Sequence, residues 1–321
     1  MSTTTEHWQS RPEGGGWFAI WLIRTIGLYC GRPFARMWLY PTTLYFFFRR
    51  GPERRASYDY LQRVLGKPAN AWQVMKLIHA FACTILDRVF LLARGLKGFE
   101  IKTYGLEHLH AQLDAGRSVM LLGAHYGSFE AARVLATHRP QYKLRLVMDK
   151  SKMPALTEVL GALAPDLAAD IIDAARGGTE VVLAVSEAVR QGSSMVALLG
   201  DRGRAHEQMR QAMFLGESAP FPAAPWLIAS ALELPVILSL GVYRGGNRYE
   251  LIFEPLADRI ELPRGQRDGA LDAYIRHYAA RLEHYVREAP YNWFNFYDFW
   301  HSLPPDEADQ QQPAAVAGQA K

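Results

Sequence analysis

From about residue 98 onward, short apolar runs of strand length alternate with stretches of helical periodicity, and this alternation limits the chain to few architectures. Phe99–Thr103, Val119–Leu122, Leu144–Met148, Ala169–Ile172, Met195–Leu199, Pro235–Val242 and Tyr249–Phe253 read as strands. Helices fit between most of them, at 106–114, 129–138, 155–163, 178–191 and 222–233, and a last long helix fits 267–288. Strand–helix alternation predicts an α/β fold with a mixed, largely parallel sheet flanked by helices. The turn at Gly245-Gly246-Asn247 predicts a hairpin for the final pair of strands. Amphipathic helices are expected at 53–65 and 70–93.

The first fifty residues are different in kind. Residues 1–15 are polar and Gly-rich, whereas Trp17 to Phe48 is strongly apolar and aromatic, interrupted by Arg24, Arg32, Pro33 and Arg36. The longest charge-free pieces, Gly14–Ile23 and Met37–Phe48, fall short of the ~20 residues that a spanning helix needs. Neither an early basic region nor a small-residue cleavage site marks a signal peptide. Residues 1–100 carry 14 Lys/Arg against 6 Asp/Glu, although the whole chain is only +4. A basic, aromatic segment with Trp17, Trp21, Trp38 and Tyr40 suits an interfacial anchor on an anionic membrane surface. Its basic residues alternate with apolar runs, which argues against nucleic acid as the partner. The expected organisation is a membrane-associating segment at 1–50, a catalytic α/β domain at 51–303 and a disordered tail at 304–321. Cys30 and Cys83 are too few for a disulfide framework, and no spacing suggests a metal site.

His125 and Glu130 are the leading candidates for chemistry. His125 follows the apolar run ending at Leu122, in a polar turn containing Gly123 and Gly127. The carboxyl ends of strands are where open α/β sheets bind their ligands. A carboxylate five residues later does not share a helix face with the histidine. The two meet only if His125 lies in the turn and Glu130 in the first turn of the following helix. An imidazole oriented by a carboxylate is a general base able to deprotonate a hydroxyl or an amine. Ser128 lacks the Gly-x-Ser-x-Gly elbow of a nucleophilic serine and reads better as a helix cap. Tyr126 and Phe129 line the pocket or pack behind it.

A second strand end follows at Leu198-Leu199-Gly200-Asp201-Arg202-Gly203-Arg204, then Phe214-Leu215-Gly216-Glu217-Ser218-Ala219-Pro220, then a late aromatic stretch, Pro290-Tyr291-Asn292-Trp293-Phe294. With His125 and Glu130 as a His-x4-Glu motif, these blocks resemble, in order and spacing, the lysophospholipid acyltransferase superfamily, and within it the bacterial branch that includes the lipid A late acyltransferases. The resemblance covers about residues 15–300. One departure is that those enzymes usually have Asp-Gln or Asp-His where this chain has Asp201-Arg202-Gly203-Arg204, which is closer to relatives that accompany pigment and polyene-lipid pathways.

The resemblance implies a membrane-associated acyltransferase without a cofactor. Its donor is an acyl thioester, on acyl carrier protein or coenzyme A, and its acceptor is a lipid-type hydroxyl or amine at the cytoplasmic face of the bacterial inner membrane. His125 is then the base and Glu130 its orienting partner. Backbone N–H groups around Gly127 and Ser128 are candidates for an oxyanion site. The resemblance also implies a phosphate or head-group contact for Arg176, an orienting or acceptor-contact role for Asp201, and a donor-phosphate or carrier contact for Arg202 and Arg204. The alternatives are a lysophospholipid or glycerol-phosphate acyltransferase and a catalytically silent lipid- or carrier-binding protein.

Overall fold

The computed structural model describes residues 31–130, 142–151, 154–203 and 207–301. Trp17, Trp21, Cys30, most of the helix expected at 129–138, Arg204 and the tail from 304 lie outside them.

Two short helices open the described chain: α1 (Arg32–Met37) and α2 (Leu39–Arg49). Then come α3 (Gly51–Leu65) and the 24-residue α4 (Ala71–Arg94). Asn70 starts α4 through a capping box: its side chain accepts the Gln73 amide, and the Gln73 side chain accepts the Asn70 amide. No described helix is long and apolar enough to cross a membrane.

The α/β part runs β1 (Glu100–Tyr104), α5 (Leu106–Asp114), β2 (Val119–Gly123), β3 (Lys143–Met148), α6 (Pro154–Leu163), α7 (Pro165–Ala169), β4 (Ile171–Asp173), α8 (Gly178–Arg190) and β5 (Ser194–Leu199). It continues with β6 (Met209–Phe214), β7 (Glu217–Pro222), α9 (Ala224–Ala231), β8 (Val236–Tyr243), β9 (Arg248–Ala257) and α10 (Arg267–Glu288). The seven-stranded sheet has the order β1-β9-β8-β2-β5-β3-β4. β8, β2, β5, β3 and β4 run parallel, and the β8–β9 hairpin turns β9 and β1 the other way. The mixed α/β expectation is met, down to this hairpin.

Alternating residues of the central strands feed two different cores. Met120, Leu122, Val196, Leu198 and Leu238 pack with Leu77 of α4, Val185 of α8 and Leu282 of α10. Val119, Leu121, Met195, Ala197 and Ile237 pack on the other face with Leu109 and Leu113 of α5. Both faces are covered, which explains why these strands read as unbroken apolar runs.

The sequence reading missed the short helix α7 and a two-stranded ribbon. β6 and β7 form a separate antiparallel ribbon turning at Leu215 and Gly216, both at positive φ. Pro220 and Pro222 argue against a strand in the interior of a sheet, but a two-stranded ribbon exposes edges that tolerate them. Phe214 and Phe221 of this ribbon are fully buried against Trp293, Phe299, Trp300 and Tyr278. The late aromatic stretch is therefore core, and it anchors the segment that carries Trp293.

The amino-terminal helices are tied down by one buried carboxylate. Asp87 of α4 is fully buried and takes the Arg32 guanidinium at 2.6 and 2.7 Å and the Tyr249 hydroxyl at 2.8 Å. Arg36 adds a hydrogen bond to the Gly246 carbonyl.

Candidate active site

β2 and β5 are parallel neighbours with Gly123 opposite Leu199. His125 and Asp201 each stand two residues beyond those partners, so the register brings them face to face at the carboxyl edge of the sheet. Asp201 Oδ1 meets His125 Nδ1 at 2.9 Å, and Oδ2 accepts the His125 amide at 3.0 Å and the Trp293 indole N–H at 3.0 Å. Asp201 is fully buried, while the His125 side chain keeps 31% of its surface. Among the described residues, His125 Nε2 has no hydrogen-bond partner.

These contacts fix the protonation states. Burial raises the Asp201 carboxyl pKa, but the His125 imidazole, its two hydrogen bonds and the Arg202 charge outweigh it and hold the carboxyl well below the usual carboxylate range. An ionised Asp201 requires the proton on Nδ1, which leaves the Nε2 lone pair free. For His125, burial and then the Arg202 charge push the pKa below the ordinary imidazole value, with a smaller push from Arg88. Asp201 pulls the other way. The result is a neutral imidazole whose free nitrogen is turned from the carboxylate.

The carboxylate that orients the imidazole is Asp201, not Glu130 as the His-x4-Glu spacing suggested. Glu130 is 6% exposed and ion-pairs instead with Arg88 of α4, with Oε1 and Nε 2.6 Å apart. That contact lacks hydrogen-bond geometry, which leaves Arg88 Nε buried without a hydrogen-bond partner, and Glu130 Oε2 is likewise buried and unpaired among the described residues. Sequence reasoning missed Arg88 altogether, since nothing on an amphipathic helix marks it.

The turn itself is built by close backbone packing. Gly127 has φ of 63°, and a Cβ there would fall 1.9 Å from the Gly241 carbonyl oxygen of β8. A Cβ on Gly241 would fall 2.0 Å from the Ser128 carbonyl oxygen. Only glycines permit this approach. It lets the Ser128 amide reach the Gly241 carbonyl at 2.7 Å, while the Gly127 amide reaches the Asn292 carbonyl at 2.8 Å. Both amides are spent on the fold, so they do not form the expected oxyanion site.

The other sequence candidates divide clearly. Tyr126 is 2% exposed, with its hydroxyl bonded to the Tyr285 carbonyl, so it packs behind the site. Ser128 is also buried. Arg202 stands beside the couple: it bonds the Phe294 carbonyl, lies 5.0 Å over the Tyr297 ring, and leaves its buried Nε without a partner. Arg176 ends a short 3₁₀ turn after β4, exposed and two strands away from β5. It shares the carboxyl edge of the sheet with His125 but belongs to another part of it.

An imidazole base at the mouth of a largely parallel sheet, with one nitrogen fixed by a buried carboxylate and the other open, is equipped for proton abstraction from a hydroxyl or amine. No curated protein matches the chain. A family model described as bacterial lipid A biosynthesis acyltransferase matches residues 58–302, a span that runs from α3 through the Trp293 segment. The chain belongs to the bacterial lipid A biosynthesis acyltransferase family and is an acyltransferase, which implies an acyl donor and a lipid acceptor.

Proposed function

We propose that this acyltransferase transfers a fatty or polyene acyl group from a thioester, on acyl carrier protein or coenzyme A, to a hydroxyl or amine of a lipid acceptor at the cytoplasmic face of the inner membrane. The observation that carries the reading is the His125–Asp201 couple, with Nε2 open at the carboxyl edge of the sheet.

In the first step Nε2 takes the acceptor's proton as its oxygen or nitrogen bonds to the thioester carbonyl carbon, and the carbonyl electron pair moves onto oxygen. Asp201 stabilises the imidazolium that results. When the tetrahedral intermediate collapses, the pair returns to the carbonyl, the C–S bond breaks, and the departing thiolate takes the proton from Nε2. The chain needs no nucleophile of its own.

Membrane association is supported by the amino-terminal helices. Among the described residues, seven of the eleven large apolar side chains that are exposed fall between residues 34 and 48. Phe34, Trp38, Leu44, Tyr45 and Phe48 recur at helical spacing, with exposed Arg49 and Arg55 beyond the end of the stripe. Aromatics beside arginines suit the headgroup layer of an anionic bilayer.

Acceptor-dependent thiol release from an acyl thioester, with membranes as acceptor source, tests the reading. His125→Ala is expected to lose about 10²–10⁴-fold or more. Equal release by the variant and the wild type removes His125 as the base, and lipid binding without release by either identifies a silent binding protein.

A further inference from the structure

Among the described residues, three N–H groups hydrogen-bond the Asp201 carboxylate, and one of them comes from outside the two strand ends that meet at the site. His125 supplies two, its ring and its own amide, and both travel with the histidine. Trp293 supplies the third, from the far end of the chain: its indole N–H donates to Oδ2 at 3.0 Å. A carboxylate held only by the histidine it orients can turn with that histidine. The indole ties it to the rest of the fold.

Trp293 is itself firmly seated. Its ring has no exposed surface and packs edge-on against Tyr60 of α3, Phe214 of β6 and Phe299, with centroids 5.1, 5.1 and 5.0 Å away. Its backbone pairs antiparallel with Tyr126. On either side of that pair the Gly127 amide donates to the Asn292 carbonyl and the Phe294 amide to the His125 carbonyl, each at 2.8 Å. One residue is thus fastened by its neighbours' backbone to the turn that carries His125 and by its side chain to the carboxylate that follows β5.

Resting on the general-base reading of His125, we propose that Trp293 is a positioning residue for acyl transfer: it sets the Asp201 carboxylate against the imidazole and so aims Nε2. The proton that Nε2 takes leaves a positive ring drawn toward Oδ1. A carboxylate already anchored through Oδ2 meets that charge without moving. The buried indole does not reach substrate, so its effect falls on the chemical step and not on binding.

The test removes the N–H and keeps the ring. Benzothienylalanine in place of Trp293 puts sulfur where the indole carries N–H, and Trp293→Phe is the genetic counterpart. In thioester turnover with membranes as acceptor source, both are expected to lower kcat about 10–100-fold with the thioester KM nearly constant, the size of one hydrogen bond to a buried charge. The second readout is the Asp201→Asn background. There the indole N–H helps to hold the Asn carbonyl oxygen away from Nδ1, and its removal lets the amide turn over and offer that oxygen to Nδ1–H. The same replacement then causes no further loss, and any change is a gain.

An unchanged kcat in the benzothienylalanine protein overturns the proposal, as does an equal loss in both backgrounds or a raised KM with unchanged kcat. If Trp293→Phe does not fold, the benzothienylalanine protein, which keeps the ring packing, decides alone. His125→Ala runs beside it: undiminished release there brings down the base assignment itself, whereas an inactive His125→Ala with an equal loss in both backgrounds removes only the role of Trp293.

Discussion

Replacing Asp201 with Asn changes one atom and reverses the chemistry of the imidazole. Two donors, the His125 amide and the Trp293 indole N–H, converge on Oδ2 at 3.0 Å each. They hold the Asn carbonyl oxygen at that position and send its NH2 to the place of Oδ1. That NH2 then faces His125 Nδ1, which is 2.9 Å away in the wild type. Nδ1 has to accept, the ring proton moves to Nε2, and the nitrogen that should take the acceptor's proton already carries one. The imidazolium also loses its counter-charge. General-base catalysis contributes ~10²–10⁴-fold, and an analogous tautomer error costs ~10⁴ in kcat, or about 5 kcal/mol of barrier. The shape and both Oδ2 contacts survive, so the thermal midpoint stays close to wild type. The assay is single-turnover acyl transfer from a thioester to membrane lipid, alongside thermal unfolding of the same sample. A folded Asp201→Asn protein whose kcat stays within tenfold of wild type refutes the assignment of Asp201 as the orienting carboxylate.

The acid limb of kcat/KM is expected below the ordinary imidazole pKa of about 6.5, because burial and Arg202 favour the neutral ring; activity is present above that limb and lost as pH falls through it. Arg202→Gln should move the limb to higher pH, and a pH–rate profile unmoved by this change contradicts the electrostatic account. Gly127→Ala forces a Cβ to 1.9 Å from a carbonyl oxygen at positive φ, for an expected loss of about 2–5 kcal/mol from combined backbone strain and overpacking. Thermal or urea unfolding reads this loss, and an unchanged midpoint would show that the turn and β8 are not in such close contact. Trp38→Ser with Phe48→Ser should weaken cosedimentation with anionic phosphatidylglycerol vesicles at least tenfold; undiminished binding moves the membrane contact elsewhere.

Most of the sheet is legible in the sequence because buried parallel strands must be apolar on both faces. Met120 and Leu122 go to one core and Val119 and Leu121 to the other, and the run declares itself whichever way it faces. The β6–β7 ribbon hides because Pro220 and Pro222 carry the signature of a loop. The active site is half legible. His125 is identifiable from its place after a strand, but proximity along the chain points to Glu130 and not to its hydrogen-bond partner, Asp201. Its true partner follows from the register of β2 on β5, and those strands are neighbours only because the sheet sets β3 and β4 outside β5. With that strand order known, two polar residues at equal distances past their strands would have been the signal. No comparable signal exists for Arg88, whose meeting with Glu130 depends on how a helix from outside the α/β unit packs.

Consecutive residues of α4 hold two different segments of the chain. Asp87 receives Arg32, and Arg88 receives Glu130. Trimming the greasy leader to improve solubility, by starting the chain after Met37, would remove both Arg32 and Arg36 and leave the buried Asp87 carboxylate with the Tyr249 hydroxyl but without its ion pairs. Breaking a buried ion pair by removing one partner costs about 3–5 kcal/mol. The loss falls one peptide bond from the arginine that pairs with Glu130, so a shortened protein forfeits more than its exposed aromatic face.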